Sequence, residues 1–401
     1  MRDYSEWTRK LADLAVGFGA NVQTGQVLGV TSFVGKEALV REIARAAYAR
    51  GARYVDVVTF DNWVKRERLR SAPDETLDFI PPWLSDRLRW FSEQRAARIS
   101  LSGPQAPAAL AGIAPERMGR DLLPYLPEVG EVVNARTTNW SIVPAPTLEW
   151  GEIVYPHLPA DEAFDQLWEA IAHVCRLDAA DPEAAWRERM EVVRESAGHL
   201  TQRRFDALRL FGPGTDLTVG LFRSSIWHAA EFHTVDGLEH FPNIPSEETF
   251  TTPDPERVDG HVSATMPLEL YGSVIRGIRV EFEAGRAVKI DADENAGALR
   301  SACAKDDGGT RLGELALVDG AGRIGPLETV FYDTLIDENA ASHIALGSGY
   351  ALAVEDEGER ARVNTSTIHI DFMIGSPELH VDGITDAGEH VPVLRAGVWQ
   401  I

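Results

Sequence analysis

Four short segments in the second half of the chain concentrate acids and histidines. They are Pro245-Ser246-Glu247-Glu248-Thr249-Phe250-Thr251, Leu312-Gly313-Glu314-Leu315-Ala316-Leu317-Val318, Asp337-Glu338-Asn339-Ala340-Ala341-Ser342-His343 running on to Gly347-Ser348-Gly349-Tyr350, and His369-Ile370-Asp371. In a strand, residues two apart share a face. His369 and Asp371 then stand side by side, with Ile368, Ile370 and Phe372 on the opposite face. Two polar groups on one face of an apolar strand are costly to bury unless something pairs with them. A simple His–Asp hydrogen bond in a core would satisfy them, and so would a metal ion. Glu314 poses the problem more sharply, because Leu312, Leu315, Leu317 and Val318 surround it in sequence. A carboxylate in such a run ordinarily takes an exposed strand position. If buried, it must meet a cation or become neutral. The nearest basic residue in sequence is Arg311, and Gly313 allows close backbone approach.

Glu338 and His343 lie five apart in a segment dense with Asp, Asn and Ser. This reads either as a polar loop leading into a helix or as a loop-to-helix junction that turns both side chains to one ion. Tyr350 follows small residues; it packs, or it presents its hydroxyl to a reacting carbonyl as an oxyanion donor. Adjacent Glu247 and Glu248 repel, so one is expected to ligate or cap while the other faces solvent. One of Glu247 and Glu248, with Glu314, Glu338 and Asp371, makes four carboxylates beside two histidines, with no cysteine. Oxygen ligands plus imidazole suit Zn, Co, Mn or Mg better than copper or an iron–sulfur cluster. Six ligands exceed what one catalytic ion with an open position needs. They fit two ions about 3.5–4 Å apart sharing a carboxylate, a pair that activates water and polarises a carbonyl.

The elements that must carry these residues follow from patterning. Trp7, Leu11 and Leu14 recur at helical spacing between Tyr4 and Gly17. Val27, Leu28 and Val30 form a short buried-strand run, and Lys36 to Arg50 is helical by propensity and closed by Gly51. Tyr54 to Phe60 and Arg98 to Ser102 read as further strands. This β-α-β order predicts an α/β N-terminal domain with a mostly parallel sheet, residues 1–185. Asp161 to about Arg204 is mainly helical, with Asp181 as N-cap and Pro182 at the first helical position. Beyond Asp206, glycine-punctuated strands take over, including a hairpin over Gly277 to Ile290 around Ala284-Gly285. Asp293 to Ala304 returns to helix. Residues 186–401 are therefore expected to form a mixed α+β C-terminal domain that bears the metal site.

Composition narrows the rest. The chain has 401 residues and a formal net charge of −23, which disfavours nucleic-acid backbones and anionic membranes as partners. Its two cysteines, Cys175 and Cys303, form no CxxC pair and sit in helical patterns as packing residues. The charged start, Met1-Arg2-Asp3-Tyr4-Ser5-Glu6, leads into no signal-peptide-like apolar run, and no stretch reaches membrane-span length, so the cytoplasm is the expected compartment. There is no GxSxG elbow or P-loop. The α/β half is read as supporting a dimer and walling the active-site cavity.

The stretches PSEETFT, LGELALV, FYDTLIDENAASHIALGSGY and HIDFMIG, in that order, resemble the thermophilic-type aminopeptidases of the M29 family, a family of two-metal metallopeptidases. The similarity in size and layout covers nearly the whole chain. The resemblance implies that Glu248, Glu314, Glu338, His343, His369 and Asp371 bind two divalent ions per subunit, with Glu314 as the bridge and Glu248 preferred over Glu247. It implies that Tyr350 assists catalysis near the scissile carbonyl. It also implies a homodimer that removes N-terminal residues from peptides with a free N-terminus. A rival reading on the same scaffold is a mononuclear Fe(II) ring-cleaving dioxygenase that uses His343, His369 and Asp371. A second rival is a binding protein whose acidic clusters only hold ions.

Overall fold

The computed structural model describes residues 2–401 apart from 119, 122, 127, 271 and 272. The chain folds into two compact units, Met1–Arg187 with Glu231–Pro245, and Glu188–Ala230 with Ser246–Ile401. The changeover at Arg187 falls inside the helix Pro182–Arg203. That helix starts as the sequence predicts: Asp181 Oδ1 accepts the Ala184 N–H at 3.0 Å. The division at residue 185 has no counterpart for the segment Glu231–Pro245, which rejoins the first unit. There the Ile142 N–H donates to the Pro242 carbonyl, the Ile142 carbonyl accepts the Ile244 N–H, and Phe241 stacks on Phe18.

The first unit holds a four-stranded parallel sheet of β1 (Val27–Phe33), β2 (Tyr54–Phe60), β3 (Ala97–Ser102) and β4 (Trp140–Pro144), in the order β2-β1-β3-β4. Parallel neighbours require crossovers, and the helices Glu37–Ala49 and Pro82–Glu93 supply two of them. Gly51, at φ 85°, ends the first of these as expected. Gly29 of β1 lies directly beneath Phe91 of the second; a Cβ there would sit 2.4 Å from the ring.

The second unit is built on two antiparallel sheets. The five-stranded one comprises β5 (His228–Ala229), β6 (Glu248–Thr251), β7 (Leu312–Val318), β8 (His343–Gly347) and β9 (His369–Met373), ordered β9-β8-β7-β6-β5. The eight-stranded sheet includes Thr215–Leu221, Pro253–Ser263 and His380–Ile384. It also contains the predicted hairpin, as Arg279–Glu283 paired with Arg286–Asp291. Ala284 and Gly285 both take positive φ between them, as a tight hairpin turn demands. The two sheets share one apolar cluster. Leu315, Leu317, Ile344, Leu346, Ile370 and Phe372 come from the smaller sheet and Leu208, Leu217, Val219 and Val258 from the larger. Among the described residues, no helix is long and apolar enough to cross a membrane.

Gly29→Ala should push Phe91 off the sheet and weaken the first unit by about 1–3 kcal/mol. Native-state hydrogen exchange should then accelerate for β1 amides and stay constant for β7. Unchanged β1 exchange would refute the packing argument.

Candidate metal centre

Strand alternation does most of the assembly. Leu315, Leu317, Ile344, Leu346, Ile370 and Phe372 point into the apolar cluster. The intervening residues must then share the other face. Cross-strand register aligns Glu314 with Ala345 and Ala345 with Asp371, while Ala316 faces His343 and Gly347 faces His369. Glu248 pairs with Val318 on the neighbouring strand. Glu248, Glu314, His343, His369 and Asp371 therefore occupy one face, with Ala316 and Ala345 leaving open space among them.

One irregularity sets the parity of Glu314. Leu312 pairs with Leu346, yet Glu314 pairs with Ala345, so Gly313 is an extra residue in β7. Without this bulge, Leu312 and Glu314 would share a face. With it, Leu312 enters the core and Glu314 turns to the histidines. Only glycine fits there, since a Cβ would lie 2.2 Å from the Ser348 carbonyl oxygen and 2.5 Å from that of Gly347. The ordinary expectation for Glu314, an exposed strand position, does not hold: it is 4% exposed.

The ligand-type atoms converge as two triads. One atom each from Glu248, Glu314 and His343 lies within 4.8 Å of the others, and the same is true of Glu314, His369 and Asp371. Glu314 belongs to both. His343 Nε2 is 3.0 Å from Glu248 Oε2; His369 Nε2 is 3.0 Å from Glu314 Oε2 and 3.4 Å from Asp371 Oδ2. Both imidazoles place Nδ1 against a backbone carbonyl, His343 on Ala341 at 3.2 Å and His369 on Ser348 at 2.7 Å. A proton on Nδ1 donating to those carbonyls leaves the Nε2 lone pair aimed at the carboxylates, the orientation of metal-binding histidines. Among the described residues, buried Asp371 Oδ1 has no hydrogen-bond donor, and buried Glu248 Oε2 faces the His343 imidazole. Oxygen and imidazole atoms of this kind fit divalent cations.

Glu338 lies outside both triads but within reach of their charges. The segment from Glu338 to His343 is not a loop-to-helix junction. The short 3₁₀ helix Glu338–Ala340 runs into β8, which begins at His343, because the alternating apolar residues Ile344 and Leu346 seat that stretch against the core. Glu247 does not face solvent. Both adjacent glutamates are buried, and Glu247 forms an ion pair with Arg189, whose guanidinium offsets the repulsion.

The electrostatics follow from crowding. Burial, with Asp371 and Glu248 nearby, raises Glu314 to about 7 against the opposing His369. Burial and the carboxylates of Asp371 and Glu248 lift Glu338 well above its ordinary range. Burial disfavours protonated His343, but Glu248 beside it prevails and raises it to about 10. His369 rises likewise against burial, whereas Asp371 is held low against burial by His369. Burial raises the Tyr350 phenol, and the carboxylates of Glu314, Asp371 and Glu338 add to this, so it stays a neutral O–H donor. The Tyr350 ring packs 5.2 Å from His369 and 5.5 Å from Phe250, centroid to centroid. Its backbone is clamped by Thr252, whose hydroxyl accepts from Tyr350 N at 2.9 Å and donates to Tyr350 O at 3.1 Å. Sequence reasoning missed Thr252, Asn339 and Arg189. Arg189 sits in an Arg/Glu-rich helical stretch that looks like any solvated face.

A parallel-sheet unit joined to an antiparallel one with a buried cluster of carboxylates and imidazoles is the architecture of a metallopeptidase family. The chain belongs to the thermophilic metalloproteases (M29), whose model matches residues 5–399. It is an enzyme that hydrolyses peptide bonds. Aminopeptidase T of Thermus aquaticus is 40% identical over 410 residues, covering 100% of both chains. The solved structure of wild-type AmpT from Thermus thermophilus superposes with a TM-score of 0.91 at 40% identity, again over 100% of both chains. The 2,5-dihydroxypyridine dioxygenase of Pseudomonas putida KT2440 shares the fold, with a TM-score of 0.57 at 13% identity over 99% of this chain and 98% of that one.

Protons and cations compete for this cluster. In the ion-free protein Glu314 gains a proton as pH falls through about 7, and His343 holds one below about 10. Zinc or cobalt must displace them, so affinity should weaken on acidification, by about tenfold per pH unit for each proton displaced. Chelator-competition titrations between pH 6 and 8, with calorimetry in buffers of different ionisation enthalpy, will read this. An affinity independent of pH, with no proton release, would contradict it.

Proposed function

We propose that the chain is an aminopeptidase that uses two divalent ions, held by Glu248, Glu314, Glu338, His343, His369 and Asp371, to remove N-terminal residues from peptides. The observation that carries this reading is the membership of Glu314 in both triads. A single carboxylate common to two ligand sets is what a bridged pair of ions requires. Zn, Co, Mn and Mg all suit the donor set. Bound ions would supply Lewis acidity and a water acidic enough to ionise near neutral pH.

The protein's own groups do the rest. Glu314 bridges the two halves of the cluster. A carboxylate of the cluster not fully engaged by metal would take the proton of the attacking water. Tyr350, kept neutral, donates its O–H to the oxyanion that develops on the scissile carbonyl. The excess of carboxylates attracts the cationic α-amino group of a free peptide N-terminus. The relatives named aminopeptidase support this choice of substrate end. A homodimer acting in the cytoplasm completes the proposal. A mononuclear iron site on His343, His369 and Asp371 would leave Glu248, Glu314 and Glu338 buried around one ion with no role, so the two-ion hydrolase accounts for more of the site.

Metal-loaded protein should release amines from aminoacyl anilides, and Glu314→Gln should abolish this. Tyr350→Phe should lower kcat by about 10²–10³ with little change in KM. N-acetylated peptides should resist cleavage. Equal rates for free and acetylated peptides would exclude the N-terminal preference, and one iron per chain with no peptide turnover would exclude the hydrolase.

A further inference from the structure

We propose that Asn339 is a positioning residue that fixes Glu338 and Glu248 relative to one another, anchored by the buried Arg189–Glu247 ion pair; this rests on the two-ion reading above. Asn339 is 1% exposed. Its Oδ1 accepts the Glu247 N–H at 2.6 Å, on the residue immediately before Glu248. Its Nδ2 donates to the Leu335 carbonyl at 3.0 Å and reaches Glu338 Oε1 at 3.5 Å. One planar amide thus touches the backbone that carries one ligand and the carboxylate of another. Its orientation is dictated, because only an oxygen satisfies the Glu247 N–H and only an N–H suits the Leu335 carbonyl and the Glu338 oxygen.

The far side of this link is equally fixed. Arg189 Nε pairs with the Glu247 carboxylate, and its two terminal nitrogens grip Asp319 at 2.9 and 3.1 Å. Asp319 also accepts the Trp399 indole N–H at 3.0 Å and the Ala321 N–H at 2.9 Å. A bidentate Arg–carboxylate pair adds geometric definition as well as energy. Glu338 lies where the short helix Thr334–Asp337 passes into the 3₁₀ turn Glu338–Ala340, in which the Asn339 side chain turns back to the Leu335 carbonyl. Partners behind metal ligands set their orientation.

Asn339→Asp tests this with little change of volume. It keeps an acceptor for the Glu247 N–H but turns an oxygen toward Leu335 O and Glu338 Oε1. Asn339→Ser removes both contacts without added charge and carries the test if the aspartate variant fails to fold. Cobalt is titrated into the full-length ion-free proteins, with metal counted per chain and the cobalt visible spectrum recorded. The expected result is at least tenfold weaker binding of one ion in each variant, within the range typical of outer-shell changes. The cobalt spectrum should be altered in variants whose ion-free form still unfolds cooperatively in urea. Wild-type stoichiometry, affinity and spectrum in both variants would overturn the proposal. Glu338→Gln separates the two levels. If it too binds cobalt as wild type does, the ligand reading falls and the proposal with it. If it loses an ion while both Asn339 variants keep theirs, the positioning role alone falls.

Discussion

The centre of this protein depends on carboxylates that the fold has buried close together. Glu248, Glu314 and Asp371 are buried, their charges act on Glu338, and two imidazoles face the group. Isolated carboxylates do not stay ionised in such surroundings; they take up protons or hold cations. The same crowding raises Glu314 and Glu338 in the ion-free protein. The contrast with Arg189 is instructive. There the fold supplies a guanidinium to Glu247 and Asp319. Adjacent glutamates thus take different partners: Glu247 meets an arginine and Glu248 meets His343.

The five-stranded sheet can tolerate this burden because its two faces have different tasks. One face is continuous with the main apolar cluster of the second unit, and burial of those side chains holds the strands in register. Register is what determines function here. A slip of one residue in β9 would turn His369 and Asp371 into the core and Ile370 into the site. The bulge at Gly313 shows how finely this is set, since one inserted residue reverses the orientation of Glu314 relative to Leu312. Apolar packing and metal chemistry are therefore two readouts of one hydrogen-bond pattern.

The likeness to a ring-cleaving dioxygenase at 13% identity fits the same picture. Fold places strands; the residues on one face decide the reaction. In this chain that face carries Glu248 and Glu314 beside the two histidines and the aspartate, and Glu338 stands on the adjoining short helix.

Much of this was legible in the sequence. The parallel N-terminal sheet, the Asp181 cap, the Ala284-Gly285 turn and the pairing of His369 with Asp371 follow from local periodicity and turn chemistry, which act over a few residues. The four ligand-bearing segments were visible as departures from such patterns, because a carboxylate amid leucines conflicts with burial. What only tertiary structure decided is long-range. No local signal shows that Gly313 is a bulge, that Glu338 leads into a strand through a short helix, or that Arg189 meets Glu247 fifty-eight positions away. Nor does any signal send Glu231–Pro245 back to the first unit. The physical reason is common to all of these. Local propensity fixes which way a side chain can point, whereas its partner is chosen by strand pairing and core packing between segments distant along the chain.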